Sequence, residues 1–204
     1  MVEPRKVVVF DLGKVLVDFD YTITVSRILA KSEKGAEAVL KLIDQSPLLH
    51  EYESGELDTE EFYQAVVEGA GYSGNREEFE RAFAGIFTPI VSMIKFFNEL
   101  IESGVPIYIL SNTNDLAIRY VETIFPEINN ATGRIYSWLE RSMKPAPEIY
   151  RAAERLTEAT ESQIIFADDK LENIEAAKSR GWNVIHHTDP QVTIAEIKNW
   201  LGRS

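Results

Sequence analysis

The chain has 204 residues, which suits one domain or one core with a modest insertion, and 45% of them are hydrophobic, enough to bury that core. Its 33 acidic and 21 basic residues leave a formal charge of −12, without the basic footprint of a nucleic-acid binder. The absence of cysteine excludes disulfides, thiolate catalysis and cysteine zinc sites, and fits the cytoplasm.

The first element is the short apolar run from Val7 to Phe10, too brief for a membrane span and unlike a signal peptide. From about Tyr21 to Phe87 the pattern is helical only. Asp58 with Glu61, and Asn75 with Glu78, resemble capping boxes. Phe79, Ala82, Phe83, Ile86 and Phe87 then form one apolar stripe. A second stripe, Ile90, Met93, Ile94, Phe97, Leu100 and Ile101, is ended by Gly104.

Beyond Gly104 the chain alternates. Strands are expected at Pro106 to Leu110, Gln163 to Ala167 and Asn183 to His187. Helices are expected at Asn114 to Phe125, Ala146 to Thr157 and Leu171 to Arg180, the last stopped by Gly181. Brief, continuous apolar runs suit parallel strands covered on both faces. Their alternation with helices predicts an α/β fold with a parallel sheet and right-handed crossovers. The helical stretch inserted after the first strand reads as a cap or lid, or else as a peripheral helical subdomain.

Ligands of open α/β sheets bind outside the carboxyl ends of the strands. Asp11 follows the first strand, Ser111 and Asn112 the second, and Asp168 with Asp169 the third, while Lys144 precedes a helix whose first turn Pro145 would suit. Singly, such residues are mostly turn formers, caps or solvated lysines. Together they form a phosphoryl-transfer set: a nucleophile, a phosphate-binding hydroxyl, a countercharge and magnesium ligands. A Walker loop, a GxGxxG turn and an HExxH helix are absent. His50, His186 and His187 read as buried or surface residues, with a site role as the alternative for His187, which follows the fourth strand.

The segments DLGKVLVDFD, LSNTN, KP and DDKLENI resemble the four ordered motifs of the haloacid dehalogenase (HAD) superfamily, over nearly the whole chain. They look closest to the bacterial sugar-phosphatase branch that includes α-D-glucose-1-phosphate phosphatases. The resemblance implies a Rossmann-like core at residues 1–17 and 88–204, with a C1-type helical cap at 18–87. It implies Asp11 as nucleophile, Lys144 as catalytic countercharge, and a phosphate bound by Ser111, Asn112 and Lys144. It implies Mg2+ held by Asp11, the Gly13 carbonyl, Asp168 and Asp169.

The sequence departs from the family's commonest pattern at Gly13, where most of its phosphatases carry a second Asp as general acid and base. Glycine can still offer its carbonyl but no proton. Asp18 and Asp20 are candidate substitutes, with helix capping as the alternative, and Lys14 is expected in solvent or paired with an acid. Asn173, one helical turn past Asp169, is expected to face the same site. The implied activity is magnesium-dependent hydrolysis of a small phosphorylated metabolite, a sugar phosphate being the guess, through an aspartyl-phosphate. The rivals are a phosphomutase, a metal-free dehalogenase and a phosphate-binding module without turnover. Neither nucleic acid nor membrane is an expected partner, and the oligomeric state is open.

Overall fold

The computed structural model describes residues 5–44 and 46–202. The chain opens with β1 (Val7–Phe10) and the short β2 (Val17–Asp18). Five helices follow: α1 (Tyr21–Leu29), α2 (Ala36–Ile43), α3 (Pro47–Glu53), α4 (Thr59–Ala70) and α5 (Arg76–Ala84). Next come β3 (Thr88–Pro89), α6 (Val91–Glu102), β4 (Ile107–Ser111), α7 (Asp115–Ile124), β5 (Gly133–Tyr136) and α8 (Ser137–Glu140). The last elements are α9 (Pro147–Thr157), β6 (Ile164–Asp168), α10 (Leu171–Ser179), β7 (Asn183–His186) and α11 (Pro190–Leu201).

Five strands form one parallel sheet in the order β5-β4-β1-β6-β7. β1 is central, and its four residues are wholly buried because helices cover both faces. That is why Val7 to Phe10 shows no polar alternation. Val8 and Phe10 pack with Met93, Phe97 and Leu100 of α6 on one side. Val7 and Val9 pack with Ile149, Tyr150 and Ala153 of α9 on the other. The expected α/β fold with a parallel sheet is present, with one strand more than the apolar runs suggest. β5 lies at the edge and buries only Ile135 and Tyr136. Pro147, not Pro145, takes the first turn of α9, and Pro145 lies outside the helix.

The five helices between β2 and β3 build their own core around Ile28, Ile43, Tyr52, Phe62, Phe79 and Phe83. Tyr52 stacks on Phe62 at 4.5 Å between ring centroids. Both capping boxes form, Asp58 with Glu61 and Asn75 with Glu78. Each satisfies two of the backbone donors that a helix start leaves over. The chain enters and leaves this helical unit through an antiparallel ribbon, in which Val17 pairs with Pro89 and Asp18 with Thr88.

The sheet register decides what lies at its carboxyl edge. Phe10 pairs with Ile109 on one side and with Ala167 on the other. The residues that follow, Asp11, Leu110–Ser111 and Asp168, are therefore brought side by side.

Candidate active site

Asp11 sits one residue past β1, its N–H donating to the Ala167 carbonyl at 2.9 Å. Its Oδ1 accepts from the Leu12 N–H at 2.7 Å and pairs with Lys144 Nζ at 2.8 Å. Lys144 also donates to Asp168 Oδ2 at 2.7 Å and to the Leu110 carbonyl at 2.8 Å. An ammonium has three hydrogens, so these three acceptors saturate it. The pair is deeply buried: Lys144 is 4% exposed and Asp168 0%.

Neighbours hold these groups in place. Asn173 Nδ2 donates to both Asp168 oxygens at 2.9 and 3.0 Å, and the Lys170 N–H adds a bond of 2.8 Å to Oδ1. Asn173 thus faces the site, through Asp168. Asn112 clamps the main chain of Lys144, donating to its carbonyl at 2.9 Å and accepting from its N–H at 2.8 Å. Ser111 is buried, with its hydroxyl 3.4 Å from the Asn112 carbonyl. Carboxylate oxygens of Asp11, Asp168 and Asp169 all lie within 4.8 Å of one another.

Three carboxyls around one ammonium leave an excess of negative charge. Burial pushes Asp11 up to about 7, against the pull of Lys144 and with a push from Asp168. Asp169 is raised by burial and by Asp168. Burial works to deprotonate Lys144, but the charges of Asp11 and Asp168 win and hold it above its ordinary value. A divalent cation would relieve this excess. The donor set is all oxygen, which fits a hard ion such as Mg2+.

The other candidates separate clearly. A Cβ built on Gly13 would lie 2.8 Å from Cε1 of Phe19, so an aromatic ring fills the space an acid would need. That ring packs on Tyr21 and Phe87, with centroids at 5.4 and 5.7 Å. Asp18 accepts from Lys14 Nζ at 2.5 Å and from the Phe19 N–H at 2.8 Å. Asp20 caps α1 by accepting from the N–H and hydroxyl of Thr22. Hydrogen bonds hold both acids below their ordinary values, so neither is a ready proton donor. His187 is buried, bonded through Nδ1 to Thr193 Oγ1 at 2.7 Å and through its N–H to the Asp168 carbonyl. His186 Nε2 lies 3.0 Å from the Asp169 carbonyl, and His50 is exposed.

Glu53, at the end of α3, is one residue that sequence reasoning passed over. Burial pushes its carboxyl up to about 7, and Lys170 is the charge that opposes the rise. A groove of about 790 Å³ between α5 and α7, lined by Arg27, Glu78 and Arg119 among others, contains none of these groups. The chemistry of the strand ends, not the size of that groove, marks the site. Among the described residues, no helix is long and apolar enough to cross a membrane.

Residues 5–181 match the haloacid dehalogenase-like hydrolase family, and the chain belongs to it. It is an enzyme of that family by its fold and by the groups at its strand ends. A sesquiterpene phosphatase of Aspergillus oryzae is 26% identical over 198 residues, 97% of each chain. A D-ribitol-5-phosphate phosphatase of Bacteroides thetaiotaomicron is 27% identical over 185 residues, covering 87% of this chain and 89% of that one. An HAD family enzyme of the same bacterium, solved with magnesium and inorganic phosphate, shares the fold. It has a TM-score of 0.78 and 20% identity, over 89% of this chain and 93% of the other.

Three expectations follow. Lys144→Met strands two buried carboxylates and should cost about 3–5 kcal/mol in chemical denaturation at pH 8; an unchanged midpoint would refute the buried pairing. Gly13→Asp must displace the Phe19 ring and should cost about 1–3 kcal/mol. In a Phe19→Ala background that cost should shrink, and equal costs in both backgrounds would show that the ring is no obstacle. Because folding raises Glu53 from 4.5 to about 7, its stabilising share is full below pH 4.5 and lost as pH climbs through 7. Thermal melts should therefore show wild type falling relative to Glu53→Gln across that window, and parallel curves would contradict it.

Proposed function

We propose that the chain is a magnesium-dependent phosphomonoester hydrolase of a small metabolite, working through an aspartyl-phosphate on Asp11. The observation that carries this reading is the buried Asp11–Lys144–Asp168 constellation beside Asp169, at the carboxyl edge of the sheet. The two relatives named as phosphatases, and the magnesium and phosphate bound by a protein of the same fold, support it.

Both hydrogen bonds to the Asp11 carboxylate fall on Oδ1, which leaves Oδ2 as the attacking oxygen. It forms a bond to phosphorus as the bond to the leaving oxygen breaks. Lys144 stays protonated and offsets charge on Asp11 and on the phosphate. The Ser111 hydroxyl donates to a phosphate oxygen. Asn112, which its motif groups with the phosphate binders, acts through the loop it clamps, by keeping Lys144 in place. Asp11, the Gly13 carbonyl and Asp169 would hold Mg2+, with Asp168, already engaged by Lys144, Asn173 and the Lys170 N–H, supporting the set from behind. Bound there, the ion neutralises carboxylate and phosphate charge so that two anions can meet.

Gly13 supplies no proton, and Asp18 and Asp20 are held ionised. The leaving oxygen therefore takes its proton from water, and a second water cleaves the aspartyl-phosphate. Esters with stable leaving groups are favoured under this scheme. The helices between β2 and β3 act as the cap that closes over the substrate. The relatives' names span a terpenoid and a polyol phosphate, and a sugar or polyol phosphate is the reading adopted here. The lack of cysteine suits the cytoplasm, where we place it.

Phosphate release from a panel of small phosphomonoesters tests the reading. Release should require Mg2+, stop with chelator, and fall about 10³-fold or more in Asp11→Asn. Release that survives in that variant would remove Asp11 from the nucleophile's role.

A further inference from the structure

The wall over the strand ends runs in an arc from Gly13 through the helical unit and back to Asp169. It starts with the Phe19 ring, which covers Gly13. Tyr21 packs on Phe19 and also meets Phe83, with centroids 6.2 Å apart. The Tyr21 hydroxyl feels the charge of Glu53. Burial raises the Glu53 carboxyl against the pull of Lys170, the residue next to Asp169 in the chain. Both ends of the arc belong to the metal and phosphate site, and its middle is Tyr21 and Glu53.

The end of α3 is pinned in this place. The Ser137 hydroxyl donates to the Glu53 carbonyl at 2.6 Å and accepts from the Thr113 N–H at 2.9 Å. Thr113 stands two residues beyond Ser111. The main chain of Glu53 is therefore tied to the carboxyl edge of β4.

Neither the Tyr21 hydroxyl nor the Glu53 carboxylate has a hydrogen bond or ion pair among the described residues. Both are surrounded by protein, and both keep some accessible surface. Polar groups so placed cost free energy unless something pairs with them. A substrate hydroxyl suits both, since it can donate to the carboxylate and accept from the phenol. An isoprenoid chain could lie on the Phe19 and Tyr21 rings, but it would strip water from Glu53 and give nothing back.

We propose that Glu53 and Tyr21 recognise hydroxyl groups of the substrate beyond its phosphate, so that the preferred ester is the monophosphate of a polyol or sugar. The inference rests on the phosphatase reading above. Its test compares kcat/KM of the full chain, with Mg2+, for ribitol 5-phosphate, glucose 1-phosphate, phenyl phosphate and farnesyl monophosphate. A hydroxylated ester should rank above the farnesyl ester. Glu53→Gln and Tyr21→Phe should each lower the ratio of the best hydroxylated ester to phenyl phosphate by about tenfold or more, chiefly through KM. Tyr21→Phe keeps the ring on Phe19 and Phe83, so its effect reads the hydroxyl alone. Preference for the farnesyl ester, or ratios unmoved in both variants, would overturn the inference while leaving the phosphatase standing. Release from none of the esters would overturn both.

Discussion

A lysine ammonium in a dry interior must meet three acceptors or lose its proton, and the carboxyl edge of the sheet is arranged around that demand. Lys144 takes one acceptor from beyond β1, one from β4 and one from β6: Asp11, the Leu110 carbonyl and Asp168. All three strands must end at the same level for this to work, so the charge at the site and the register of the sheet are one constraint. The surrounding bonds follow from it. Asn112 fixes the lysine's main chain, while Asn173 and the Lys170 N–H occupy the rest of Asp168. Asp169 and Oδ2 of Asp11 are left outside the lysine's bonds, and carboxylate oxygens of Asp11, Asp168 and Asp169 lie within 4.8 Å of one another.

Gly13 looks like a loss in the sequence and like an exchange in the structure. The volume an acidic side chain would need is held by Phe19, and Phe19 belongs to an aromatic group with Tyr21 and Phe87. The ring thus puts apolar surface directly beside Gly13, two residues along from Asp11. Tyr21, packed on the same ring, carries a hydroxyl at its far end.

The strands and helices that could be read in advance were those whose pattern is local. β1, β4 and β6 are continuous apolar runs, and the capping boxes rest on residues three apart. β5 escaped because Gly133–Tyr136 carries only two apolar residues at a sheet edge, and pairing with β4, not burial, makes it a strand. Asp11, Lys144, Asp168 and Asp169 do meet, since each stands at a strand end or is clamped to one, and Ser111 ends β4 at the same sheet edge. Phe19 and Glu53 were invisible in that way. Their surroundings come from contacts between the helical unit and the sheet's edge, and neither lies in a patterned segment. Asn112 shows the reverse case: its place was legible, but not that its amide would be spent on the lysine's backbone.

The position of β1 has a consequence for the order of assembly. It is the first strand made and the middle one of the finished sheet, yet its partners are β4 and β6, about 100 and 157 residues later by its own register with Ile107 and Ile164. During synthesis Asp11 therefore waits, exposed and ordinary in its acidity, until residue 168 has left the ribosome. Most of the helical unit's core comes from its own helices, and Leu116 of α7 completes it, so the unit can form in large part before β6 is made. The helical unit can thus take shape before the sheet closes, and Asp11 meets Lys144 and Asp168 only when the last half of the chain folds around it.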